Sequence, residues 1–255
     1  MIKMILTDLD HTLLRSDGSV SEHTLEVLKA CREKGVLLAI ATARYWIGAE
    51  KYIELLSPDY EITTDGTLIH SKEGCIYSCC LSACQTDLVI SEIKKAVPGG
   101  EITVANGKTV YWNSPDIAKS EKLHKAVYCS YEHPLSCTSN KIVALLPDEQ
   151  IAVTISEKAG CGYLRYRGEN WYAFLPKDSG KIAAIKTLSE KCGISLADFA
   201  AFGDDLNDIG MLQICGTGVA VSNAVKEAAD AADFITSSND EDGVALWLEE
   251  NILLK

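Results

Sequence analysis

Asp8-Leu9-Asp10-His11-Thr12 directly follows the apolar run Met4-Ile5-Leu6 and Thr7. On an extended chain, residues i and i+2 share a side. The apolar run reads as a buried strand, and buried strands tolerate charge poorly. Two acids at its exit call for a cation, a proton, or both. A carboxylate can attack phosphorus and carry it as an aspartyl phosphate. A second carboxylate can protonate a leaving oxygen and later take a proton from water. This pattern gives the first role to Asp8 and the second to Asp10.

Other strand ends carry matching chemistry. The run Leu37-Leu38-Ala39-Ile40-Ala41 ends in Thr42-Ala43-Arg44, and Phe199-Ala200-Ala201-Phe202 ends in Gly203-Asp204-Asp205-Leu206-Asn207-Asp208. In a parallel sheet these ends lie on one edge, where such folds bind ligands. Hard oxygen donors of this kind suit Mg²⁺. Asp8, Asp204 and the Asp10 carbonyl are the expected metal ligands. The Thr42 hydroxyl, nearby backbone N–H groups and a lysine are expected around the phosphoryl oxygens. Asp208 reads either as a ligand or as the N-cap of the next helix. Asp205 reads as a solvated neighbour, and His11 as a structural or tuning residue.

The elements that must position these residues follow from periodicity and breakers. The first third alternates strand 2–7, helix 21–34, strand 36–41, helix 47–56 and strand 60–63, with a turn at Asp65-Gly66. The last third continues with helix 181–192, strand 199–202, helix 208–214, strand 218–221, helix 224–232, strand 234–235 and helix 243–251. Strands alternating with helices predict an α/β fold, a Rossmann-like parallel sheet. The middle reads as α+β. It has a hairpin over 101–112 turning at Asn106-Gly107, strands 141–146, 163–166 and 171–175, and helices 85–97 and 148–159. The expected division is a core of 1–81 and 177–255 with an inserted α+β domain, 82–176. The aromatic and basic residues Tyr111, Trp112, Arg165, Arg167, Trp171 and Tyr172 of that insert read mainly as packing.

Charge follows the same division. Residues 82–176 hold ten acidic and ten basic side chains, so the whole net charge of −12 lies outside them. An acidic chain argues against general nucleic-acid binding. No run approaches the roughly 18 apolar residues of a membrane span, and the start lacks a signal-peptide pattern. A cytoplasmic protein with no membrane partner is expected. The 10 cysteines lack paired CxxC spacing and read as reduced, structural thiols. Oligomeric state is not legible.

At these residues the chain resembles the haloacid dehalogenase-like superfamily, through DxDxT at Asp8–Thr12, the hydroxyl at Thr42, a lysine opening a helix, and GDxxND at Gly203–Asp208. The α+β insert, Val221-Ser222-Asn223-Ala224 and Asn239-Asp240-Glu241-Asp242-Gly243 resemble its Cof-type subfamily with a large cap. The resemblance implies Asp8 and Asp10 as catalytic residues. It implies Leu9, Thr42, Ala43, Arg44, Lys181 and Asn207 around the phosphate, and Asp8, Asp10, Asp204 and Asp208 around Mg²⁺. It further implies hydrolysis of a small phosphorylated metabolite such as a sugar phosphate, selected by the cap. The alternatives are a phosphomannomutase-like phosphotransferase and a non-catalytic binding protein. Ala43 stands where the family usually has glycine, and Asp65-Gly66 where it has Asn-Gly. Lys181 aligns best with the helix-opening lysine, ahead of Lys177 and Lys186.

Overall fold

The computed structural model describes residues 1–120 and 123–254. Among them the strands are β1 (Met4–Thr7), β2 (Leu37–Ala41), β3 (Tyr60–Thr63), β4 (Leu68–Ser71), β5 (Gly74–Ser78), β6 (Ile102–Asn106), β7 (Thr109–Trp112), β8 (Val127–Tyr128), β9 (Lys141–Leu145), β10 (Gly162–Arg165), β11 (Trp171–Leu175), β12 (Phe199–Gly203), β13 (Thr217–Val221) and β14 (Phe234–Thr236). The α-helices are α1 (Glu22–Glu33), α2 (Trp46–Leu56), α3 (Ala83–Ala96), α4 (Glu149–Ala159), α5 (Lys181–Cys192), α6 (Ile209–Ile214), α7 (Lys226–Ala231) and α8 (Gly243–Leu248).

The chain forms two compact units. One holds Met1–Thr42, Tyr52–Ile76 and Gly180–Lys255; the other holds Ala43–Lys51 and Tyr77–Ser179. The division expected from sequence, 1–81 with 177–255 against 82–176, has different edges. Residues 43–51 group with the second unit because Ile47 is buried with Ala105 and Val110, with Tyr45 and Trp46 packed alongside.

The first unit is built on a sheet of order β14-β13-β12-β1-β2-β3-β4-β5. Pairing is parallel from β14 to β3, as the alternating pattern predicts. β4 then runs antiparallel to β3. The sequence pattern predicts neither β4 nor β5: Leu68–Ser71 is short, and Lys72-Glu73 turns it straight back. The central strands are apolar on both faces, with Met4, Ile5, Leu6, Ala39, Ile40, Phe199 and Phe202 fully buried. This is what a sheet covered on both faces requires. Ser21 caps α1 by accepting from the Thr24 N–H at 3.0 Å. Several helix expectations shorten at their ends, 224–232 to Lys226–Ala231 among them. Residues 206–208 form a 3₁₀ turn before α6, and 249–253 form a wide turn after α8.

The second unit is a six-stranded sheet of order β10-β11-β9-β6-β7-β8. Pairing is antiparallel except between β7 and β8. Asn106-Gly107 turns the β6–β7 hairpin, with Gly107 at φ +57°. Val89 and Ile93 of α3 and Ile155 of α4 bury with Ile102, Val104, Ile142 and Phe174. Ser82 and Gln85 form a reciprocal capping box at the start of α3. No helix among the described residues is long and apolar enough to cross a membrane. All ten cysteines are free thiols.

Candidate active site

Register brings the chemistry-bearing ends together. Thr7 of β1 pairs with Ile40 of β2 and Phe202 of β12. Asp8, Thr42 and Asp204 therefore follow from three strands that end at one sheet edge. Asp8 N–H still donates to the Phe202 carbonyl at 3.0 Å. That bond is the last of the ladder, because the chain leaves the strand at Asp8.

Beyond Asp8 the backbone departs from the expected pleat. Leu9–Leu13 is a wide turn in which Asp10 is extended (φ −68°, ψ 124°) and His11 is left-handed (φ 60°, ψ 6°). Asp8 and Asp10 are thus not successive side chains on one face of a strand. Asp8 is buried, whereas Asp10 is half-buried. Two asparagines tie the turn down. Asn223 Nδ2 donates to the His11 carbonyl, and Asn239 Nδ2 to the Leu14 carbonyl, each at 2.8 Å.

Lys181 opens α5, and its buried ammonium donates to Asp8 Oδ1 and to Asp208 Oδ1, each at 2.6 Å. Gly66 permits this approach: a Cβ there would lie 2.4 Å from the Gly180 carbonyl carbon and 2.6 Å from the Lys181 nitrogen. Asp208 Oδ2 accepts from the Asp204 and Asp205 N–H groups at 3.1 and 3.2 Å. Asp208 thus reaches back to Asp205, the N-cap of the 206–208 turn, and is the second grip on Lys181; as N-cap of α6, the alternative expected from sequence, its side chain makes no capping bond. Gly203 admits it, since a Cβ at 203 would lie 2.5 Å from that of Asp208. Asp204 Oδ1 accepts from the buried Thr12 hydroxyl at 2.7 Å.

Asp8, Asp204 and Asp208 bring one carboxylate oxygen each to within 4.8 Å of one another, and all three are buried. Burial raises the Asp8 carboxyl well above its ordinary value against the opposing pull of Lys181, with Asp208 and Asp204 adding to the rise. Burial likewise raises Asp204 to about 6, with Thr12 opposing. For Lys181, burial favours the neutral amine, but Asp208 and Asp8 together outweigh it and raise its pKa. Three carboxylates against one ammonium leave two formal negative charges in a buried site. A divalent, oxygen-seeking cation fits that balance, and Asp8 and Asp204 offer the donors least occupied by other bonds.

The remaining expected residues are more dispersed. Leu9 and Thr42 are buried beside Asp8 and at the end of β2 respectively. Asn207 is exposed on the 206–208 turn. Ala43 and Arg44 belong to the second unit, where Arg44 Nη1 donates to the Gly48 carbonyl at 3.0 Å. The Asp10 side chain is not a member of the carboxylate group. Three contributors have no role that the sequence pattern assigns: Thr12, Asn223 and Asn239. Thr12 carries a signal, since a hydroxyl four residues after an acid at a strand exit can reach a neighbouring strand's end.

A Rossmann-type sheet with an acidic edge, a buried lysine and an inserted α+β unit defines a class of phosphoryl-transfer hydrolases. The model of the haloacid dehalogenase-like hydrolase family matches residues 5–248, and the chain belongs to that family. Phosphatase YwpJ of Bacillus subtilis strain 168 is 28% identical over 281 residues, covering 96% of this chain and 98% of that one. The 5-amino-6-(5-phospho-D-ribitylamino)uracil phosphatase YitU of the same strain is 26% identical over 284 residues, 97% and 96% of the two chains. The solved structure of BT4131, a subclass IIB sugar phosphatase, shares the fold with a TM-score of 0.82 at 22% identity, covering 97% of this chain and 98% of that one.

Proposed function

We propose that this protein is a Mg²⁺-dependent phosphatase that hydrolyses a small phosphate monoester through an aspartyl phosphate on Asp8. The observation that carries the reading is the Lys181 ammonium held at 2.6 Å between Asp8 and Asp208, with Asp204 alongside. A structural ion pair needs one carboxylate; three around one buried ammonium leave charge that a metal and a phosphoryl group would use.

In the first step an Asp8 carboxylate oxygen attacks phosphorus, and the bond to the leaving oxygen breaks. Asp10 supplies the proton that the leaving oxygen takes up. In the second step water attacks the same phosphorus and gives a proton to Asp10. The Asp8–phosphorus bond then breaks and inorganic phosphate departs. Lys181 favours the ionised form of the Asp8 carboxylate, orients it, and lends positive charge to the phosphoryl oxygens. Thr42, with the backbone of Leu9, Ala43 and Arg44 and the Asn207 amide, binds those oxygens. Asp8, Asp204 and the Asp10 carbonyl would hold Mg²⁺, with Asp208 behind them, and the ion would offset repulsion between carboxylate and phosphate.

A sugar phosphate or related phosphorylated metabolite is the substrate class favoured by the relatives, which include a sugar phosphatase and a phosphatase of a phosphorylated ribityl compound. The test is a panel of such metabolites and para-nitrophenyl phosphate, assayed with Mg²⁺ and with chelator. Inorganic phosphate released only with the metal is the expected result. Transfer of label to a second sugar without free phosphate would replace hydrolysis by phosphotransfer.

A further inference from the structure

The second unit buries a cation of its own. Lys141, the first residue of β9, is 2% exposed. Its ammonium donates to the Ala43 carbonyl at 2.6 Å and to the Tyr166 hydroxyl at 3.2 Å. It also lies 4.3 Å from the centre of the Tyr45 ring, within cation–π range. Lysine is among the residues least often buried, because desolvating an ammonium is expensive. A strand that needed only packing here would carry an apolar side chain.

The residues beside Lys141 are themselves tied by hydrogen bonds. Asn140 is fully buried, accepts from the Gly107 N–H at 2.8 Å, and donates to the Cys79 carbonyl at 2.9 Å. The Tyr45 hydroxyl bonds the Thr103 hydroxyl at 2.6 Å. What Lys141 holds is the peptide between Ala43 and Arg44, one residue past Thr42 in the chain. A planar trans peptide points its C=O and N–H in opposite directions. Fixing the Ala43 carbonyl on Lys141 therefore fixes where the Arg44 N–H points.

We infer that Lys141 is a positioning residue for phosphate binding, setting the Ala43–Arg44 peptide so that the turn after Thr42 presents its donors to a phosphate monoester dianion. This rests on the reading of Thr42–Arg44 as phosphate-binding. Lys141 acts through that peptide.

The test measures binding of inorganic phosphate by calorimetry in the presence of Mg²⁺, and steady-state kinetics with para-nitrophenyl phosphate, for the wild type, Lys141→Met, Lys141→Arg and Tyr166→Phe. Lys141→Met is expected to weaken phosphate binding and raise KM about tenfold, as loss of one charge-assisted hydrogen bond would. Its kcat should change far less, and Lys141→Arg should recover part of the binding. A Lys141→Met protein that unfolds cooperatively yet keeps wild-type KM and phosphate affinity overturns the inference. Should Lys141→Met fail to fold, Tyr166→Phe decides: weakened phosphate binding supports the inference, and unchanged binding overturns it. A wild type that neither binds phosphate nor hydrolyses the ester fails the phosphatase reading itself. A competent wild type matched by Lys141→Met fails only the role of Lys141.

Discussion

Two buried lysines divide the chemistry of this chain. Lys181, in the first unit, is gripped by the carboxylates of Asp8 and Asp208. Lys141, in the second, is held by a backbone carbonyl, a tyrosine hydroxyl and a tyrosine ring face. Around Lys181 the charge does not balance: the carboxylate excess remains and invites a metal. The carbonyl, hydroxyl and ring face named at Lys141 are dipoles and a quadrupole, groups that orient a peptide. The first arrangement suits changing charge during a reaction; the second suits holding geometry.

Removing Lys181 should separate the two most sharply. Lys181→Met leaves three buried carboxylates without their cation. We expect kcat to fall by about 10²–10³, as for other preorganised charge stabilisers, and the metal-free protein to lose about 3–5 kcal/mol of stability. Kinetics with para-nitrophenyl phosphate and chemical unfolding check both. A kcat effect no larger than that of Lys141→Met would erase the distinction.

Thr12→Val is the next largest. It keeps the shape but leaves Asp204 Oδ1 without its 2.7 Å donor. Mg²⁺ activation should need about tenfold more metal, as expected for loss of a group orienting a metal ligand. The Mg²⁺ concentration for half-maximal activity reads this directly.

Proton competition provides a third test. Asp204 ordinarily titrates at 3.8 and is raised to about 6 by burial. A raised acid stabilises the fold fully below the unfolded value, and that contribution is lost as pH rises through about 6. The metal-free protein therefore bears the cost of ionised Asp204 above pH 6, which Mg²⁺ offsets. Below pH 6 protons displace the metal. The rise in Tm on adding Mg²⁺ should be larger at pH 7 than at pH 5; the reverse order would remove Asp204 from the metal site.

The smallest expected effect lies in the frame of the second unit. Ser82→Ala removes the capping box of α3 and should cost about 1 kcal/mol with kcat unchanged. Thermal unfolding beside a kinetic assay checks it.

These contrasts also explain what the amino-acid sequence discloses. Asp8 and Asp204 are legible because an acid at the exit of an apolar strand has few structural uses, and parallel strand ends share an edge; Asp208, further along, reads equally as a helix N-cap. Lys181 is legible through the family resemblance, where it aligns ahead of Lys177 and Lys186 with the lysine that opens a helix. The turn over Leu9–Leu13 is not, because a left-handed residue such as His11 is uncommon outside glycine and leaves no mark in the periodicity. β4 and β5 escape notice because their short, mixed-polarity runs carry neither clear period. Lys141 looks like an ordinary strand-end lysine. Its burial depends on Tyr45 and Tyr166, which lie far from it in sequence, and on a peptide 98 residues away.

The central claim is that Asp8 carries the phosphoryl group. The most direct measurement is rapid acid quenching of the protein during turnover of a radiolabelled phosphate monoester with Mg²⁺, comparing wild type with Asp8→Asn. Label is expected on the wild-type peptide containing Asp8 and none on the variant, with a fall in phosphate release of at least about a thousandfold. Wild-type rates of phosphate release by Asp8→Asn would contradict that claim.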